Sequence, residues 1–301
     1  MTIPYPLAAP AVNGNDVTVD RMLKEPTRVT RYLSDLSLLN YFAHRIFPTV
    51  GAPSGGAVLY TQLTENDVFP DPNRPDVQNI EPGAEFPVIG FTRPEPKTAQ
   101  VEKFGGRFFV TDEARDRNDS TQMQQGSRKL ANTITRQIHT RALRELTAAY
   151  TALGASAQTV VSVGWKNTVT GGASQASNQQ WPAADLARVQ LVADQKELGV
   201  TFNTWIVNPA DALNFRQVYG RDYEAVLREN GVQFIVTQRQ TAGEAWVIED
   251  GVPGECRLEV PLNTVTYRDD EKEQTWVQSG VRPVFYVTNP YSILKVTGLN
   301  A

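Results

Sequence analysis

The side chains that most often carry chemistry are scarce in this sequence: two histidines, His44 and His139, and one cysteine, Cys256. A nucleophilic cysteine wants an imidazole partner to hold it as thiolate. Both histidines lie in helix-like stretches among other polar residues, and the plain reading of Cys256 is a small buried hydrophobe. A single thiol cannot close an intrachain disulfide. Two imidazoles and one thiol make no convincing zinc set, and no G-x-S-x-G elbow or G-x-G-x-x-G fingerprint is present. Gly171-Gly172 lacks the Lys-Ser/Thr that completes a phosphate loop. With 33 Asp and Glu in the chain, a pair of nearby carboxylates means little. One dense acidic cluster stands out, Asp269, Asp270, Glu271 and Glu273, in a stretch that reads as the tip of a hairpin. It fits a solvated turn, a contact with basic residues of a neighbouring subunit, or a divalent-ion site. The last fits least, because the residue order does not match a calcium loop. No cofactor, no metal site and no enzymatic activity are expected.

The elements around these residues are easier to read. Residues 1–25 carry Pro4, Pro6, Pro10 and Gly14 without sustained periodicity, which predicts an extended arm. Pro26 opens a helical stripe through Leu33, Leu36, Leu39 and Ile46, ended by Pro48. Val58, Leu59 and Tyr60, with Leu63, read as one strand, and Val101 to Val110 as returning strands. Between them runs a long polar span with seven prolines from Pro70 to Pro96. Such a span is rare inside a compact domain, and a two-stranded ribbon is marginal alone in water. This one should need cover from a neighbouring subunit. A helix of about 119–153 follows, with Leu130, Ile134, Ile138, Ala142, Leu146, Ala149 and Leu153 on one stripe, Asp119 or Ser120 as cap and Gly154 as stop. Val160, Val161 and Val163 mark a strand, and Pro182 opens a second helix. Residues 202–207 form a strand leading through Asn208-Pro209 into a third helix, to about Tyr219. Residues 220–231 read as a polar excursion. From 232 onward the chain is β-rich, with a hairpin across 264–278.

Composition fits an assembly with little chemical equipment. Hydrophobic residues make up 41% of 301, enough for a substantial core, and the net charge is −4. A sequence pI near 5.4 argues against a protein that coats nucleic acid, which needs a basic surplus to neutralise phosphates. No apolar run approaches the ~20 residues that span a bilayer, and the N-terminus does not read as a secretion signal.

The order of these parts resembles the major capsid proteins of tailed bacteriophages, the Hong Kong 97-type capsid fold, over nearly the whole chain. The most persuasive local pieces are Arg45-Ile46-Phe47-Pro48-Thr49-Val50, the Gly105-Gly106-Arg107-Phe108-Phe109-Val110-Thr111-Asp112-Glu113 passage from ribbon to long helix, and Val287-Thr288-Asn289-Pro290. The resemblance implies an α+β fold with an N-terminal arm and helix (1–55), an extended β-hairpin E-loop (56–104), a P domain with a spine helix (105–181), an A domain (182–258) and a return to the P domain with an acidic P-loop hairpin (259–301). It implies a subunit that assembles with itself, as hexamers and pentamers, into the icosahedral head that encloses double-stranded DNA. Such a shell forms in the host bacterial cytoplasm and becomes the virion capsid. A separate scaffolding protein, a portal and a decoration protein are the further partners it implies, without membrane or sequence-specific DNA binding. The expected subunit-interface residues are Glu85, Lys97, Lys103 and Arg107 along the ribbon and its exit, with Asp269, Asp270, Glu271 and Glu273 at the tip. The type member carries a fused scaffolding segment removed by a protease, and welds subunits through Lys–Asn bonds. Here the arm begins at once and residues 264–280 hold no Asn, so neither processing nor a cross-link is expected. The alternative is an encapsulin-type compartment enclosing a cargo protein, against which the proline-rich start speaks.

Overall fold

The computed structural model describes residues 12–13, 16–38, 41–53, 55–64, 79–86, 94–169, 175–197 and 199–301. The strands are β1 (Val12–Asn13), β2 (Asp16–Val17), β3 (Ala57–Tyr60), β4 (Lys97–Gln100), β5 (Phe104–Thr111), β6 (Gln158–Val161), β7 (Thr204–Val207), β8 (Gln233–Val236), β9 (Glu244–Ile248), β10 (Gly254–Asp269), β11 (Gln274–Val287) and β12 (Ile293–Thr297). The helices are α1 (Val19–Lys24), α2 (Pro26–Leu38), α3 (Ala43–Ile46), α4 (Asp112–Asp116), α5 (Thr121–Ala152), α6 (Pro182–Gln195), α7 (Pro209–Tyr219) and α8 (Tyr223–Glu229).

Helix α5 is the spine of the molecule. Its 32 residues extend about 48 Å at 1.5 Å each. Leu130, Ile134, Ile138, Ala142 and Leu146 form its buried stripe, continued by Met123, Ala131, Leu143 and Tyr150. Asp119, rather than the Ser120 hydroxyl, caps it by accepting from the Thr121 N–H at 2.9 Å. Gly154 follows its end in the left-handed conformation, φ 56°, which glycine adopts without a Cβ penalty.

The stripe lies on an antiparallel sheet ordered β10-β11-β5. Val277, Ser279 and Thr264 are buried on the inner face, where β11 pairs with β5 as Val277↔Phe108 and Ser279↔Gly106. The helix comes unusually close. A Cβ on Gly126 would sit 2.3 Å from the Phe108 ring, and one on Gly106 would sit 2.8 Å from Leu130. Each long strand of this hairpin contains a proline, Pro261 in β10 and Pro283 in β11, a residue that reads as a strand boundary. In the structure each is continuous. The pairing of β10 with β11 absorbs the interruption as irregularities between Leu258 and Asn263, as bulges do.

A second sheet, ordered β6-β12-β9-β7-β8, is mixed, with β12∥β6 and β7∥β8. Both expected helix starts hold. Pro182 and Pro209 occupy first-turn positions, and the Asn208 side chain accepts from Ala210 N–H at 2.9 Å while donating to the Gln240 carbonyl at 2.7 Å. A separate apolar cluster sits here, built from Trp165, Leu186, Val189, Trp205, Phe215 and their neighbours. Two carboxylates are buried beside it. Asp185 Oδ2 accepts from Trp165 Nε1 (2.8 Å) and Ser162 Oγ (2.5 Å) and its Oδ1 from Val163 N–H (3.3 Å), so its oxygens are satisfied. Asp211 accepts from Gly243 N–H at 2.8 Å.

Three expectations change. The arm is not extended throughout 1–25: α1 buries Val19 and Leu23, and Val19 N–H donates to Asn118 Oδ1 at 2.9 Å. One i, i+4 pair in a polar window is too faint a periodicity to read. The polar excursion at 220–231 contains α8, whose Leu227 is buried. The stripe from Leu33 to Ile46 is divided between α2 and α3, with Leu39 outside the described residues. Pro4, Pro6, Pro10 and Gly14 of the arm, Pro70, Pro72, Pro75 and Pro87 of the ribbon, and Gly171-Gly172 also lie outside them.

The joint before α3 is pinned to the spine. His139 Nε2 accepts from Phe42 N–H at 3.1 Å, its ring lies 3.9 Å from that of Phe42, and it is buried. Burial, with the positive charges of Arg239 and His44 nearby, pushes its pKa down to about 4. Two predictions follow from this packing. Gly126→Ala would gain about 1 kcal/mol on helix propensity alone, but contact with Phe108 should reverse the sign and cost the subunit about 1–3 kcal/mol. In a Phe108→Ala background the cost should vanish; a raised Tm for the single variant contradicts the packing. For His139, the unfolded chain takes up a proton below the ordinary pKa of 6.5, while the folded chain resists until about 4. Its contribution is therefore complete above about pH 6.5 and shrinks as pH falls to about 4, by about 3 kcal/mol in all. Denaturant unfolding of His139→Gln, which keeps a neutral acceptor, should lose most of that pH slope.

Candidate subunit interface

Two of the residues that could do chemistry, His139 and Cys256, are built into the packing, while His44 is exposed and stacked on Tyr41. Cys256 is buried, and burial pushes its thiol up to about 12. It sits where residues 48–51 run along the edge of β10: Cys256 N–H donates to Pro48 O (2.9 Å) and Val50 N–H to Cys256 O (2.8 Å). Phe47, in the motif before it, packs with its ring tilted 59° and 5.4 Å from that of Phe285, and Arg45 bridges to Asp250 (2.8 Å) and Thr204 (3.0 Å). Among the described residues no group of three or more His, Cys, Asp or Glu could hold a metal ion, and no helix is long and apolar enough to cross a membrane.

What the chain presents instead is protruding surface. Strands β3 and β4 form an antiparallel ribbon, Ala57↔Gln100 to Tyr60↔Lys97. Only its root has a core: Val58 and Ala99 pack with Val284 and Tyr286, and Tyr60 lies 4.9 Å from Tyr286 ring to ring. The root is held by Leu63 N–H to Thr288 O (2.9 Å) and Glu102 N–H to Pro283 O (3.2 Å). The Glu102 carboxylate also accepts from Arg141 (2.7 Å) and Arg144 (2.9 Å) of the spine. Away from that packed face the cover stops among the described residues. Leu59, on the opposite face of β3, is 70% exposed, Phe86 is 80% exposed, and residues 81–86 are all exposed. A large apolar side chain on a polar loop is costly to leave in water.

The expected interface residues fall into three places. Glu85 and Lys97 are exposed on the ribbon, Lys97 bonded to the Gln62 side chain. Lys103 and Arg107 stand together on the outer face of the three-stranded sheet, where Arg107 donates to Tyr267 Oη (2.8 Å) and lies 4.4 Å from the Trp276 ring. Asp269, Asp270, Glu271 and Glu273 form the end of the β10–β11 hairpin. This end is less purely acidic than its sequence. Arg268 forks onto both oxygens of Asp112 (3.0 and 2.6 Å) and also pairs with Asp270, which raises its pKa further. Asp269, against some desolvation, is held below the usual carboxylate range by bonds from Trp276 and Gln274. Glu273 takes φ 47°, and its carbonyl accepts from Asp112 N–H at 3.0 Å. The tip is a braced turn, with Glu271 exposed at its end.

Sequence reading missed Arg282, Phe86 and the glycines facing each other at Gly105 and Gly280. Phe86 carried a signal, an aromatic ring next to a glutamate in a proline-rich span. The glycine pairing depends on strand register and had none.

The matching family model, described as phage capsid protein, covers residues 94–296. None of the curated proteins compared with the chain matches it. Among solved structures, the virus-like particle from Pyrococcus furiosus superposes with a TM-score of 0.60 at 14% identity, over 90% of this chain and 99% of that one. The capsid of Cyanophage P-SCSP1u gives 0.57 at 10% identity, over 87% and 89%, and a structure from Microbacterium phage Oxtober96 gives 0.56 at 12%, over 86% and 91%. At such identities the likeness speaks for the fold, while the family model spans more than half of the sequence. With a spine helix, a projecting ribbon and no assembled chemistry among its described residues, the chain belongs to the phage capsid protein family and has the Hong Kong 97-type fold.

Proposed function

We propose that the chain is the repeating subunit of an icosahedral phage head, assembling with itself as hexamers and pentamers around double-stranded DNA in the host cytoplasm and catalysing nothing. The observation that carries this reading is the ribbon: one face of its root is packed on the subunit's own sheet and spine, while Leu59 on the other face and Phe86 further out are left in water. A second copy is the simplest source of the missing cover. Contacts of this kind are individually weak, and their number around a closed shell makes them collectively strong. The net charge of −4 suits a container that encloses DNA without gripping it, since tight binding needs clustered cations against phosphate. In this assignment the spine and three-stranded sheet act as the P domain, the mixed sheet as the A domain and residues 56–104 as the E-loop, and scaffolding, portal and decoration proteins act from outside the chain.

A compartment of encapsulin type is the second reading, favoured by the likeness to the Pyrococcus furiosus virus-like particle. Size and contents separate the two. The chain expressed alone should elute in size-exclusion chromatography with light scattering as rings or closed particles, visible by negative-stain microscopy. A large head that takes up DNA only with a packaging apparatus supports the first reading, and a small shell carrying a protein cargo the second. A monomer that stays monomeric at high concentration, with a scaffold candidate added, contradicts both.

A further inference from the structure

The outer face of the three-stranded sheet carries a trough of about 500 Å³, and the strand register explains it. Gly280 of β11 lies opposite Gly105 of β5, so on these two strands the row has no side chain and the floor is bare backbone, with Asn263 of β10 closing its end. One wall is the neighbouring row on the same face, Val265, Gln278 and Arg107. The other is Val260, Arg282 and Lys103. Val265 is 53% exposed. Three cations border the trough. Arg282 bonds to Glu259 at 3.2 Å, Arg107 lies over Trp276, and Lys103 has no partner among the described residues. A glycine pair in a sheet leaves room for a flat ring, the way an aromatic side chain covers glycines across strands.

The chain itself contains a segment of matching chemistry. Residues 79–86 place Glu81 and Glu85 around a proline and a glycine and end in Phe86, all exposed from Glu81 on. One aromatic ring needs cover, and two carboxylates precede it in the exposed segment. We propose that this segment of a second copy docks in the trough, with Phe86 over the Gly105–Gly280 floor and Glu81 and Glu85 meeting Lys103, Arg107 and Arg282. This rests on the shell reading above and assigns that contact its two partners by residue. Like charges on the walls of the trough disfavour it while empty, and an acidic segment relieves that repulsion as it arrives, which favours correct encounter over other pairings. The rival occupant with the right charge is the hairpin tip, but its Asp269 and Asp270 are already engaged, and it offers no aromatic ring.

The test is a cross-link in assembled particles. Phe86 and Val265 are both exposed in the subunit, so Phe86→Cys with Val265→Cys should fold and assemble under reducing conditions. The native Cys256 is buried and stays silent. On oxidation, a ladder of covalent oligomers in a non-reducing gel is the expected result, absent from either single variant. Phe86→Ala should leave the subunit's Tm unchanged and reduce particle yield at least several-fold, and Glu85→Lys should be rescued by Lys103→Glu. Particles that form without a ladder, or a ladder from Glu271→Cys with Val265→Cys in its place, overturn this contact and leave the shell reading standing. Failure of the unmodified chain to assemble removes both.

Discussion

Everything in the subunit hangs on the close approach of one helix to one sheet. Helix α5 can lay its stripe on β5 and β11 only because Gly126 and Gly106 leave room for Phe108 and Leu130. That contact fixes the height of the sheet above the spine. It therefore sets the braced hairpin end beside α4 and the direction in which the ribbon leaves, while the trough on the far face follows from strand register. Glycine inside a helix costs about 1 kcal/mol relative to alanine, a cost that makes sense where a ring occupies the space.

The ribbon is the complementary feature. Its root is fastened by backbone bonds, by Tyr60 on Tyr286 and by Glu102 between two spine arginines. The fastening gives the projecting part a defined starting direction without covering it. A subunit built this way holds its own shape and leaves part of its apolar surface to be buried by association. In a closed shell every copy both gives and receives such a segment, so small contacts add around the lattice. The hydrogen-bonded His139 joint ties the N-terminal helices to the same spine, so these parts share one rigid reference.

Much of this was legible in the residues. The spine was visible from a stripe sustained over more than six turns, Leu130 to Leu153, with a glycine stop, and α6 and α7 from proline at first helical positions. The ribbon was visible as a proline-rich span too long and too polar for a compact core. Short elements were not: α1 buries only Val19 and Leu23, α8 only Leu227, and one or two apolar positions give no period. Strand continuity across Pro261 and Pro283 was hidden because proline reads as a boundary, whereas here the pairing shifts around it. The interface was half legible. Charge and position singled out Lys103, Arg107 and the acidic tip, but Arg282 and the glycine floor join them only through register, and the clamp of Arg268 on Asp112 spans a separation that no local pattern reveals.

The central claim is that the ribbon is completed by another subunit, and hydrogen exchange resolved by peptide tests it most directly. Free subunits and assembled particles would be compared over residues 57–64, 79–86 and 97–100. The account predicts strong protection of residues 79–86 on assembly, and little change along residues 121–152, which are already packed in the subunit. Equal exchange of the ribbon in both states would contradict it, and would mean that the shell closes through some other surface.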